Sequence, residues 1–151
     1  MSDVPAITER FVRERASDRC EYCGLSQVGQ EATFHIDHIV PRSRQGPSDP
    51  DNLALACVSC SLRKGARTRS RDPQTKAFVA LYHPRTQSWW DHFKYEAGKI
   101  VGTTRTGRAT IAALRLNHPR LIAIRQFEFQ LDRYPPQKWW SVTDSGDEMH
   151  S

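Results

Sequence analysis

The sequence predicts an α+β domain held together by a metal ion, and three observations carry that prediction. Two matched Cys-x-x-Cys pairs, Cys20/Cys23 and Cys57/Cys60, stand thirty-three residues apart. Between them lie a strand-like stretch, "TFHIDHIV" at 33–40, and a short apolar step at 53–56. Helical patterns flank this core on both sides, one ahead of the first pair and three after the second.

The elements follow in order. Residues 5–18 space Ile7, Phe11, Val12 and Ala16 as one helical face and set Glu9, Arg10, Arg13 and Glu14 opposite. Pro5 suits the first turn, where its missing N–H costs nothing. "CEYCG" then breaks the helix in a tight knuckle ending at Gly24. In the strand 33–40, Phe34, Ile36 and Ile39 supply the apolar side; Pro41 ends it, and "RSRQGPSDPDN" is a turn-rich loop. The apolar step at 53–56 enters the second knuckle, "CVSC", and a short helix over 59–66 follows. Beyond a basic stretch, 78–82 is a strand, and 83–104 forms short strands around aromatic residues and glycines. Two helices close the fold. One lies near 106–116 with Ile111, Leu114 and Leu116, and one starts at Pro119 with Leu121, Ile124, Phe127 and Leu131.

A chain of 151 residues suits one domain, here 1–133, with the polar, proline-broken 134–151 as a loose tail. No window is apolar for 18 residues, and the charged start lacks an apolar signal core, so membrane spanning and secretion are not expected. The implied location is cytoplasmic, where thiols more often bind metal or catalyse than pair as disulfides. The net charge of +5 falls to about +3 if four thiolates hold one zinc ion. That balance permits a nucleic-acid partner. The run "LRKGARTRSR" at 62–71 is basic without one acidic residue.

Zinc takes four ligands in a tetrahedron, and a two-residue gap lets one knuckle offer two sulfurs to one ion. Cys20, Cys23, Cys57 and Cys60 therefore form a structural Zn2+ site. A closed shell of four thiolates leaves no position for substrate, so the chemistry lies between the knuckles. Asp37 is a hard oxygen ligand suited to Mg2+ or Mn2+. His38, with an ordinary pKa of about 6.5, is able to take a proton from water. Adjacent strand residues point to opposite faces, so Asp37 and His38 share a substrate only where the strand ends or twists. His35 lies on the face of Asp37 and is a second ligand candidate.

Taken together, "CEYCG", "FHIDHIVPRSRQG", "DNLALAC" and "CVSCSLRKG" resemble an HNH endonuclease of the ββα-metal type with a four-cysteine zinc site. The resemblance is close over 19–65, with the motif core at 19–70. It continues more loosely through "DPQT", "LYHPRTQSWWDHF", "KIVGTTRTGRAT" and "LNHPR", which look like a small bacterial subgroup of HNH proteins. It implies a hairpin-and-helix core, with His38 as the general base and Asp37 as a ligand of one catalytic divalent cation. Asn52 would brace the loop so that the base keeps its orientation. The same arrangement makes Arg63, Lys64 and Arg67 candidates for phosphate contacts, with Arg42 and Arg44 beside them.

One residue departs from the pattern. Directly after the second Cys pair the family usually carries Asn or His as the other ligand of the catalytic cation; here stands Ser61. Three readings follow: Ser61 holds the ion through a water, or His92, His35 or His83 substitutes, or the site is weakened and the protein only binds DNA. Trp89, Trp90, Phe93 and Tyr95 are expected to cover the hairpin; Trp139 and Trp140 have no assigned role. The expected protein is a Zn2+-containing, Mg2+-type endonuclease that hydrolyses double-stranded DNA with little sequence selectivity. A catalytically silent zinc module that binds DNA is the alternative, and a zinc protein that binds other proteins is a third.

Overall fold

The computed structural model describes residues 4–136. Its elements are α1 (Ala6–Arg15), β1 (His35–His38), β2 (Leu53–Ala56), α2 (Val58–Lys64), β3 (Arg69–Arg71), β4 (Phe78–Ala80), β5 (Phe93–Glu96), β6 (Lys99–Gly102), α3 (Arg105–Leu114) and α4 (Pro119–Gln130). The strands pair as three antiparallel two-stranded sheets, β1–β2, β3–β4 and β5–β6. The architecture is mixed α and β with four helices, as the sequence predicts. None of the described helices is long and apolar enough to cross a membrane. Trp139 and Trp140 lie outside the described residues, as does the expected tail from 137 onward.

The β1–β2 hairpin and α2 form the centre. Its register pairs His35 with Ala56, Asp37 with Ala54 and His38 with Leu53. All four residues of β2 are buried, which explains why "LALA" is apolar without alternation. The outer edge of β2 is sealed rather than paired with another strand. Glu21 donates its N–H to the Leu55 carbonyl, and its carboxylate accepts the Leu55 N–H at 2.8 Å. Arg15 donates to the carbonyls of Leu53 and Pro50 at 2.8 and 3.1 Å. A buried edge would otherwise leave polar groups without partners.

The loop after β1 is closed by Asn52. Its amide oxygen accepts from Val40 N at 2.9 Å, and its amide nitrogen donates to the Val40 and Pro47 carbonyls at 3.0 and 2.8 Å. This fold-back brings the chain so near itself that a Cβ on Gly46 would sit 1.7 Å from the Val40 oxygen. Only glycine fits there.

Two helices bury other faces than their apolar spacing suggests. In α1, Val12 enters the core, as does Ala16 just past its end, but Ile7 is 76% and Phe11 50% exposed. Phe11 instead lies beneath the Arg15 guanidinium, 5.2 Å from its ring centre. In α4, Leu121 is buried while Phe127, and Leu131 just past the helix end, are exposed, and Arg125 and Glu128 are buried instead. Arg125 displaces them because it satisfies the Gly98 and Leu116 carbonyls, both at 2.7 Å, where β5 turns into β6 and α3 ends. Glu128 is paired by two hydrogen bonds from Arg133. The polypeptide beyond 133 is not loose at its start. Tyr134 is buried, and its hydroxyl donates to the Cys23 carbonyl at 2.7 Å.

Trp89 and Phe93 stack with ring centres 4.9 Å apart, and Trp89 donates its indole N–H to the Tyr22 carbonyl at 2.9 Å. These rings therefore cover the first cysteine knuckle. Trp90 is largely exposed, and Tyr95 packs on Tyr134.

Candidate metal centre and catalytic hairpin

The four cysteines converge. Their sulfurs lie within 4.8 Å of one another, all buried. Sulfurs bound at about 2.3 Å in a tetrahedron stand about 3.8 Å apart, and Cys23 and Cys57 are separated by 3.8 Å. Each pair is shaped by its own backbone: Cys23 N donates to Cys20 Sγ and Cys60 N to Cys57 Sγ, both at 3.4 Å. Hydrogen bonds with the neighbouring thiols, Cys20 foremost, hold Cys23 low and push Cys57 and Cys60 up. Four sulfurs at these distances are compatible with a bound zinc ion.

From this centre a buried network reaches the strand. Tyr22, inside the first knuckle, donates its hydroxyl to Asp37 Oδ2 at 2.8 Å. Lys64, at the end of α2, sets its ammonium 3.2 Å from Asp37 Oδ2 and 3.4 Å from Oδ1. The same ammonium donates to the carbonyls of His38 and Ile39 at 3.2 and 3.1 Å. Burial pushes the Asp37 carboxyl above its ordinary value, against the opposing pull of Lys64 and Tyr22. Burial also raises Tyr22 well above the usual phenol range, so it remains a hydrogen-bond donor.

Lys64 therefore does not offer itself to a phosphate: it is 2% exposed and its ammonium is fully engaged. Arg67, also named for phosphate contact, donates to the Ala113 and Arg63 carbonyls and ties α2 to the end of α3. Arg63 stays exposed. Arg42 and Arg44 stand exposed on the loop after β1, with Arg44 donating to Thr68 Oγ1 at 3.2 Å.

On the same strand face, His35 Nδ1 lies 2.9 Å from Ser61 Oγ. Strand alternation sets His35 beside Asp37, and α2 sets Ser61 three residues before Lys64, so the two pairs are rungs of one ladder. His35 is thus paired with Ser61 and Asp37 with Lys64, one turn apart along α2. His38, the last residue of β1, is half-buried with its Nε2 3.0 Å from Ser48 Oγ. His92 and His83 do not join this group. His92 Nδ1 pairs with Thr104 Oγ1 at 2.7 Å, and His83 Nδ1 accepts from Arg85 N at 3.2 Å. Desolvation lowers the pKa of both.

Sequence reasoning missed Tyr22 and Ser48. Tyr22 carried a signal, an aromatic donor inside "CEYC" close to an unpaired acid in the strand. Ser48 carried none, because its place depends on the path of the loop.

Comparison with known proteins agrees with this geometry. A model of the HNH endonuclease family matches residues 20–67. The Septu protein PtuA of Bacillus mycoides (strain KBAB4) is 22% identical over 147 residues, covering 79% of this chain. The chain spans about a fifth of that relative's length. No solved structure matches significantly. The segment that matches this family model runs from the first cysteine knuckle through the hairpin and α2.

Proposed function

We propose that this protein is a metal-dependent endonuclease that hydrolyses DNA phosphodiesters with His38 as general base. The observation that carries the reading is the way the fold holds that histidine. Its carbonyl is gripped by Lys64, its ring by Ser48, and its loop is closed by Asn52. A base fixed on three sides meets water in one orientation, which removes reorganisation from the barrier. The imidazole takes the proton from water as the oxygen attacks phosphorus, leaving 5′-phosphate and 3′-hydroxyl ends. Asp37, His35 and Ser61 are the residues that would hold the catalytic cation, which supplies charge to the phosphate and the departing oxygen. The four-cysteine zinc site keeps knuckle, strand and helix together and takes no part in the reaction.

Nicking of supercoiled plasmid with Mg2+, Mn2+ or Ni2+ tests the proposal, comparing wild type with His38→Ala. His38-dependent nicking supports it. A second reading, a zinc-containing DNA-binding protein without turnover, is favoured by the pairing of Ser61 with His35 and of Asp37 with Lys64. Retardation of DNA with no His38-dependent cleavage under any of the three cations would establish that reading instead.

A further inference from the structure

A cleft of about 370 Å3 lies on the side of α2 away from the hairpin, between that helix and α4. Ser61 and Lys64 face β1, whereas Val58, Leu62 and Arg63 turn towards this cleft. Its floor is apolar, formed by Phe34, Leu62 and Leu121. Its rim carries Arg63, Arg115 and Arg120, and no acidic residue lines it. Most arginines elsewhere are committed to protein acceptors: Arg15 to β2, Arg67 to α3, Arg108 to Asp72 and Arg125 to the β5–β6 turn. The side chains of Arg63, Arg115 and Arg120 have no such partner among the described residues. Leu62 is 70% exposed and lines the cleft together with Arg63.

We propose that this cleft is a second nucleic-acid contact, taking an unpaired nucleotide with its base on the apolar floor and its phosphates at the arginine rim. The inference rests on the endonuclease reading for its partner but uses none of that reading's catalytic residues. Three guanidiniums with no carboxylate between them favour an anionic ligand, and the apolar floor favours one that also carries an apolar face, as a base does. The volume is at the small end of ligand sites, about 300–1,000 Å3. It admits one nucleotide rather than a length of acidic peptide. A paired base is hidden in its stack, so a regular duplex reaches only the rim. Arg63 belongs to both the rim and α2, so a strand crossing α2 touches the hairpin side and the cleft in succession.

Fluorescence anisotropy with the zinc-loaded full chain, without a catalytic cation, tests the idea. The probes are a fully paired duplex, the same duplex with one unpaired nucleotide, and the corresponding single strand. Wild type should bind the unpaired-nucleotide duplex about tenfold more tightly than the paired one, within the range of one stacked base. Leu62→Glu, and Arg115→Ala with Arg120→Ala, should remove that preference while leaving paired-duplex affinity within about twofold and plasmid nicking intact. Leu62 and both arginines are at the surface, so near-wild-type thermal unfolding will show that the variants fold. Equal loss on all three probes would make the rim a general phosphate contact and overturn the proposal. Unchanged binding of all three would also overturn it and point to an acidic peptide. If wild type binds no DNA at all, the endonuclease reading has failed; if it binds and cleaves without the preference, only the cleft proposal has.

Discussion

Replacing Lys64 by methionine tests the buried ladder most directly. The side chain is 2% exposed, and its ammonium serves the Asp37 carboxylate and the carbonyls of His38 and Ile39. Methionine fills a similar volume, so little cavity is created. What is lost is the charge opposite Asp37. Breaking a buried pair by removing one partner typically costs about 3–5 kcal/mol, because the other charge is left uncompensated. Asp37 softens this by taking up a proton, for which burial already raises its affinity. A loss of about 3 kcal/mol is therefore expected, a large part of the roughly 5–15 kcal/mol that holds a domain folded. Urea denaturation of the zinc-loaded protein, followed by tryptophan fluorescence, will read it. With a slope near 2 kcal/mol per molar, the midpoint should fall by about 1.5 M. The double variant Asp37→Asn with Lys64→Met, which leaves no buried charge, should lose clearly less than the sum of the two single variants. Strict additivity, or a Lys64→Met loss below about 1 kcal/mol, would refute the assignment of Lys64 as the internal counter-ion of Asp37.

Three other outcomes are expected. Ser61→Asn should raise plasmid nicking and lower the Mn2+ concentration giving half-maximal rate, since an amide oxygen is the better ligand; unchanged or lower activity would remove Ser61 from the cation site. Protein purified without added metal should contain close to one equivalent of zinc by atomic emission, and chelation should lower its melting temperature markedly; less than half an equivalent, with oxidised thiols, would undo the four-thiolate centre. Hydrogen bonds from Arg108 hold the buried Asp72 carboxyl well below the usual carboxylate range. Its folded pKa is depressed, so the stabilisation is complete above the unfolded value of about 3.9 and fades as pH falls below it. Asp72→Asn should therefore melt below wild type at neutral pH, with the gap starting to narrow only below about pH 4; a gap that stays constant down to low pH would contradict the pairing.

Local features of this chain were legible because their physics is local. A Cys-x-x-Cys knuckle is defined within four residues, and two of them imply one tetrahedral centre wherever the intervening chain runs. The strand and the helix after the second knuckle follow from short patterns, and both appear where the sequence put them, within a residue or two. Helix faces were less legible. Apolar spacing put Phe11 and Phe127 inside, but a helix buries whichever face its neighbours can satisfy, and Arg125 met carbonyls that no phenylalanine could.

The sequence by itself determined that this chain gathers four cysteines, a ligand set suited to zinc, around a His-Asp hairpin, because ligand identity and spacing are written in neighbouring residues. Only the tertiary structure decided what each polar group faces. It turned Lys64 inward onto Asp37, set Ser61 against His35 and Ser48 against His38, and left Arg63, Arg115 and Arg120 together around an apolar cleft. Those partnerships join residues from ten to nearly sixty positions apart. Long-range packing brings them together, and one-dimensional spacing does not encode it.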